Sequence, residues 1–97
     1  MGRAARLKSV LLATKLRQIR QALGLSQNEL IVQMGCQEWL VREQVSKYER
    51  GTLEPPYPIL LAYARVAHIC TDLLLDDELT LPTKLPGRAT HRAQRSR

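Results

Sequence analysis

Phenylalanine is absent from this chain of 97 residues, and the other aromatics amount to one tryptophan and three tyrosines. A core built without large rings must draw on Leu, Ile, Val and Ala, a palette that suits packed helices. Cysteine is scarce as well. Cys36 and Cys70 stand far apart and offer no disulfide framework, so both are expected as free thiols in a reducing, cytoplasmic compartment. Long hydrophobic runs are missing: near the N-terminus, the apolar stretch from Val10 to Ala13 is bounded by Lys8 and Lys15. That is too short for a secretory signal or a membrane span. Met1-Gly2 opens in the manner of a myristoylation site, but Arg6 stands where Ser or Thr is required. No membrane partner is therefore expected.

Acidic residues are missing from both ends of the chain. Residues 1–20 carry Arg3, Arg6, Lys8, Lys15, Arg17 and Arg20 without one acid, and residues 83–97 carry Lys84, Arg88, Arg92, Arg95 and Arg97. All nine acids and the four remaining bases lie between, so the middle is 4 − 9 = −5 inside a chain of net charge +6. A surplus of positive charge suits an anionic partner, and any internal binding face must concentrate those few bases. The length allows one domain with tails. We assign residues 1–9 to a basic arm, 10–81 to the folded domain and 82–97 to a disordered basic tail. The arms are expected to attract phosphate without reading sequence.

What is present is helical periodicity punctuated by glycine. Leu12, Leu16, Ile19 and Leu23 step by four, three and four, which predicts a first helix over roughly Val10–Leu23 with Gly24 as its stop. Ser26-Gln27-Asn28-Glu29 fits a capping box, so a second, short helix should run from Gln27 to Met34 before Gly35. Val41, Val45 and Tyr48 predict a third helix, about Val41–Arg50, closed by Gly51. Between the two, Cys36–Leu40 reads as one extra helical turn that folds Trp39 or Leu40 onto the core. Trp39 and Tyr48 are both expected as core residues rather than base-stacking groups. Pro55, Pro56 and Pro58 forbid a continuous helix and place a fourth helix from Pro58, with Leu60, Leu61, Ala64 and Ala67 as its buried stripe. Ile69 should pack just past its end. Cys70 or Thr71 then caps a fifth helix carrying Leu73 and Leu74, which ends in Asp76-Asp77-Glu78.

Catalytic and metal chemistry find little to stand on. His68 and Cys70 with one distant Cys36 lack the paired spacing of a zinc site, so no metal or other cofactor is expected. Nothing orders Ser46, His68 and Asp72 around a pocket, and no Gly-rich phosphate loop occurs. The chain is not expected to be an enzyme. The acidic run at residues 76–78 reads first as a solvated helix end.

Two short helices joined by a connection and closed by glycine are the raw material of a helix-turn-helix. The residues Leu25-Ser26-Gln27-Asn28-Glu29-Leu30, then Gly35, then Val45-Ser46-Lys47-Tyr48-Glu49-Arg50-Gly51, then Glu54-Pro55, resemble the Cro/C1-type (XRE) helix-turn-helix family. The likeness extends from about Leu16 to Leu74. It implies an all-α, compact five-helix bundle of the lambda-repressor-like kind, a bacterial or phage regulator that binds double-stranded DNA. The third helix is then the recognition helix, with Arg42, Glu43, Gln44, Ser46 and Lys47 as groove-facing candidates. Arg42 and Lys47 could donate to guanine, Gln44 pair with adenine, and Glu43 accept from cytosine. Gln27 matches a family glutamine that bonds a phosphate and braces the recognition helix, and Arg50 and Arg17 join it as phosphate candidates. Arg20 and Glu49 match a structural ion pair.

The resemblance further implies a transcriptional regulator, by default a cytoplasmic, nucleoid-associated repressor, working as a homodimer on an inverted repeat, with the fifth helix and the segment after it as candidate dimer surface. A different reading makes the chain the antitoxin of a toxin–antitoxin pair, gripping a partner protein, which the acidic middle favours. Two departures from the family pattern are evident: the extra turn before Val41, which stands where Ser or Thr usually caps, and His68 where glycine usually follows the fourth helix. The longer turn leaves open whether Arg42 or Glu43 faces the bases.

Overall fold

Glycine or a glycine-like backbone ends four successive helices, and that punctuation sets the architecture. The computed structural model describes residues 11–82 and Leu85. Helix α1 spans Leu12–Leu23, α2 Gln27–Met34, α3 Arg42–Arg50, α4 Tyr57–Ala67 and α5 Thr71–Leu75. No strand occurs among the described residues, and the domain is an all-α bundle of five helices. Gly24, Gly35 and Gly51 close the first three helices with left-handed backbone, and His68 does the same for α4 at φ 57°, ψ 47°. The loop after α4 therefore keeps the turn that glycine would give, with histidine bearing the strain.

The expected α2 is met residue for residue. The Ser26 hydroxyl accepts from the Glu29 amide at 3.1 Å and the Glu29 carboxylate accepts from the Ser26 amide at 2.8 Å. Val41 is not the first residue of α3 but its extended N-cap, and α4 starts one residue earlier than Pro58, on Tyr57. Val10 and the tails at 1–9 and 83–97 lie outside the described residues, apart from Leu85.

α1 packs on α3, α4 and α5, while α2 packs on α3 and α4. Leu16, Ile19, Leu30, Val45, Tyr63, Ala67 and Leu74 are fully buried where these helices meet. Leu85 is buried too, at 1% exposure, so the core reaches past the boundary expected at Leu81. The stripe assigned to α4 needs correction at Leu61, which is 37% exposed; Ile59 and Tyr63 are buried instead. Residues 59, 60, 63, 64 and 67 form one face at helical spacing, and Leu61 lies off it. Trp39 is likewise not a core residue. At 71% exposure it points outward, and only its neighbour Leu40, at 4%, anchors the turn.

Lys15 is the one charged residue buried as a whole among the described residues. Its Nζ donates to the carbonyls of Leu73 at 2.7 Å and Asp76 at 2.8 Å, at the C-terminal end of α5. A cation there gives the Leu73 carbonyl a donor, adds a second one to the Asp76 carbonyl that the Leu79 amide already reaches at 3.0 Å, and meets the negative end of the helix dipole. This clamp fixes α5 against α1, and the Leu11 amide adds a bond to the Asp77 carboxylate at 3.1 Å.

Candidate nucleic-acid interface

The segment from Ser26 to Gly51 forms α2, the turn and α3, and α1 braces α3 from behind. After α2 ends at Gly35, the amides of Trp39 and Leu40 both donate to the Cys36 carbonyl at 3.0 Å, closing a single tight turn. Cys36 is buried beneath it, and burial pushes its thiol pKa up, which disfavours the reactive thiolate. Val41 has no side-chain oxygen with which to cap α3. The opposite half of the cap is made instead, as the Gln44 Oε1 accepts from the Val41 amide at 3.0 Å.

On α3, Val45 and Tyr48 are buried, which turns Arg42, Glu43, Lys47 and Arg50 to solvent and leaves Gln44 and Ser46 half-buried. The outward face formed by Arg42, Glu43, Ser46, Lys47 and Arg50 carries three bases and one acid, 3 − 1 = +2. Three of the four bases in the acidic middle of the chain are thus gathered on one helix. Arg50 donates to the Ser46 hydroxyl at 2.5 Å, linking successive turns of that face.

The other glutamate of α3 is removed from this surface. Glu49 receives Arg20 through two bonds, Nε to Oε2 at 2.7 Å and Nη2 to Oε1 at 3.0 Å. The Arg20 Nη1 also donates to the Leu25 carbonyl at 3.0 Å, so one guanidinium ties α1, the α1–α2 loop and α3 together. The Glu49 hydrogen bond and charge raise the Arg20 pKa beyond its already high value. Gln27 completes the group, its Nε2 donating to the Glu49 Oε1 at 3.2 Å. Arg17 is exposed on the same side of α1, one turn from Ala13, which approaches Gly51, and from Arg20.

The arrangement brings together Arg17, Gln27, Arg42, Glu43, Ser46, Lys47 and Arg50 around one exposed helix. Gln44 stands apart, since its carbonyl is occupied at the helix cap and only its amide nitrogen remains to donate. Bidentate pairing with adenine would require release of that cap.

The profile of a helix-turn-helix domain family matches residues 11–76, from before α1 to the end of α5. The chain belongs to that family. Its domains are of the XRE/Cro-like kind, so the expected kinship holds, and membership supports DNA binding. No curated protein and no solved structure matches this helix-turn-helix chain. No helix among the described residues is long and apolar enough to cross a membrane.

Sequence reasoning missed two features of this helix-turn-helix unit. A lone tryptophan near an apolar run usually packs inward, whereas the tight turn at Cys36 gives the core only one of the pair, Leu40, and leaves Trp39 outside. The cap role of Gln44 was legible: Val41 followed three residues later by Gln is half of a capping box.

Proposed function

We propose that this helix-turn-helix protein reads duplex DNA by laying α3 in the major groove, and that it acts there as a transcriptional repressor in the cytoplasm. The observation that carries this is the +2 outward face of α3, held by the Arg20–Glu49–Gln27 group behind it. Arg42, Glu43 and Lys47 are the base-reading residues, with Ser46 contributing a hydroxyl and Gln44 reading only after its cap opens. Gln27, Arg17 and Arg50 hold phosphates and thereby set the register of the helix in the groove. A homodimer on an inverted repeat places the two α3 helices about 34 Å apart along one face of the duplex.

Selection of bound sequences from random duplex DNA tests the reading, followed by salt titration on the selected site. Affinity should fall steeply with salt, with a log–log slope of about −0.9 per phosphate neutralised. Lys47→Ala should lose about 1–3 kcal/mol of base discrimination at one position, while Arg50→Ala should weaken all sequences alike and reduce the slope by about one. A purified, folded chain that forms no duplex complex at low salt removes this reading in favour of a partner-protein role.

A further inference from the structure

Valine is a poor residue with which to begin a helix, because its side chain brings no oxygen to the free amides of the first turn. Val41 stands at the N-cap of α3 and makes no side-chain hydrogen bond there. The cap is completed without it. The Gln44 amide donates to the Val41 main-chain carbonyl at 3.0 Å, and the Gln44 Oε1 accepts from the Val41 amide at 3.0 Å.

The methyls of Val41 have no part in the core either. Helical spacing would set Val41 inward beneath Val45, but the extended backbone at φ −119°, ψ 161° takes it off that stripe. It is 60% exposed, whereas Val45 is fully buried. Nor does Val41 line the recess between α3 and α4, which its neighbour Leu40 and the cap residue Gln44 both line. Its side chain therefore joins the outward face of α3 at the leading end, next to the exposed Arg42 and Glu43.

A single exposed valine elsewhere on a small domain would mean little. Here it lies at the N-terminal end of the recognition helix, the end whose residues meet base edges when such a helix enters the major groove. Among the groups that bases show in that groove, the C5-methyl of thymine is the apolar one, and an apolar side chain is its complement. Arg42, Glu43, Ser46, Lys47 and Arg50 present polar or charged groups on this face, and Val41 alone presents an aliphatic one.

We propose that Val41 is a specificity-determining residue that packs its methyls on the C5-methyl of a thymine in the bound site. The proposal rests on the duplex-binding reading and adds to it a base chosen without a hydrogen bond. The test takes the duplex selected from random sequences by the full chain and replaces its thymines one at a time by deoxyuridine, which deletes the methyl and keeps every hydrogen-bonding group. Replacement at the contacted thymine should weaken wild-type binding about fourfold, the contribution of one methyl group taken out of water. Val41→Ala should keep the wild-type circular dichroism and melting temperature and bind the thymine and uracil duplexes equally, so that the two changes are coupled. At the same position 5-methylcytosine should outbind cytosine by a similar factor in the wild type and not in Val41→Ala, which separates the methyl group from the rest of the thymine base.

Uracil replacement without effect at every thymine overturns the proposal and leaves duplex binding standing. A uracil effect of equal size in Val41→Ala overturns it too, since the methyl then meets a different residue. A Val41-dependent uracil effect with no preference for 5-methylcytosine over cytosine would trace the effect to the shape of the duplex and overturn the methyl contact. A folded chain that forms no duplex complex at low salt removes the proposal together with the reading beneath it.

Discussion

The Arg20 guanidinium grips the Glu49 carboxylate through both of its oxygens, at 2.7 and 3.0 Å, with side-chain exposures of 18% and 5%. This pair joins α1 to α3, and Gln27 ties α2 to the same Glu49 carboxylate. Glu49→Ala leaves a largely desolvated guanidinium without its counter-charge and should cost about 3–5 kcal/mol of stability. The double variant Arg20→Ala/Glu49→Ala should cost clearly less than the sum of the two single losses, because no uncompensated charge remains. Urea denaturation of the four proteins measures this. Additive losses would show that the pair contributes nothing as a pair.

Much of this unit was legible because each signal was local. Ser26 with Glu29 fixes the start of α2, and Gly24, Gly35 and Gly51 fix three stops, since only short-range backbone geometry is involved. The outward placement of Arg42, Glu43 and Lys47 followed from Val45 and Tyr48 lying inward at helical spacing. Tertiary choices were not legible in the same way. Leu61 and Leu60 are equally apolar, and only the position of α1 and α2 around α4 decides that Tyr63 rather than Leu61 is covered. Leu85 is buried although its neighbours in sequence are polar, proline or glycine, so no periodic pattern announces it.

Lys15 could not be assigned inward from sequence either, because its partners are main-chain carbonyls that carry no residue signature. Lys15→Met keeps the apolar stem and removes the cation, taking the Nζ donor from the carbonyls of Leu73 and Asp76, the second of which keeps the Leu79 amide at 3.0 Å. The loss should be about 1–3 kcal/mol, the usual cost of unsatisfied buried polar groups. Faster hydrogen exchange should be concentrated in the amides of α5. Uniform acceleration across all helices would mean that the clamp does not act locally.

His68 carries the only positive φ outside glycine among the described residues. A side chain in left-handed backbone costs about 1–2 kcal/mol, part of which a glycine returns through the greater freedom of its unfolded chain. His68→Gly should therefore stabilise the protein, by about 0.5–1 kcal/mol, and raise the melting temperature by several degrees for a domain of this size. A lower melting temperature would mean that the imidazole makes a compensating contact.

Tyr63 is fully buried, and its hydroxyl has no protein hydrogen-bond partner. Burial, followed by the nearby Glu49 charge, raises its pKa well above the ordinary tyrosine value of 10. Tyr48 is shifted in the same direction by burial. The sign of the pH effect depends on which state holds the proton longer. Below pH 10 both folded and unfolded tyrosine are neutral, and the stability is complete. As pH rises past 10 the unfolded chain ionises first, and stability is lost progressively towards the higher folded pKa. Tyr63→Phe removes that contribution along with an unpaired hydroxyl. At neutral pH it should leave stability equal or raise it by about 1 kcal/mol, and above pH 10 its decline should be shallower than that of the wild type. Urea midpoints measured across the alkaline range check both halves. A neutral-pH loss of more than about 1 kcal/mol would show that the hydroxyl is satisfied after all, through bound water bridging it to the surrounding core.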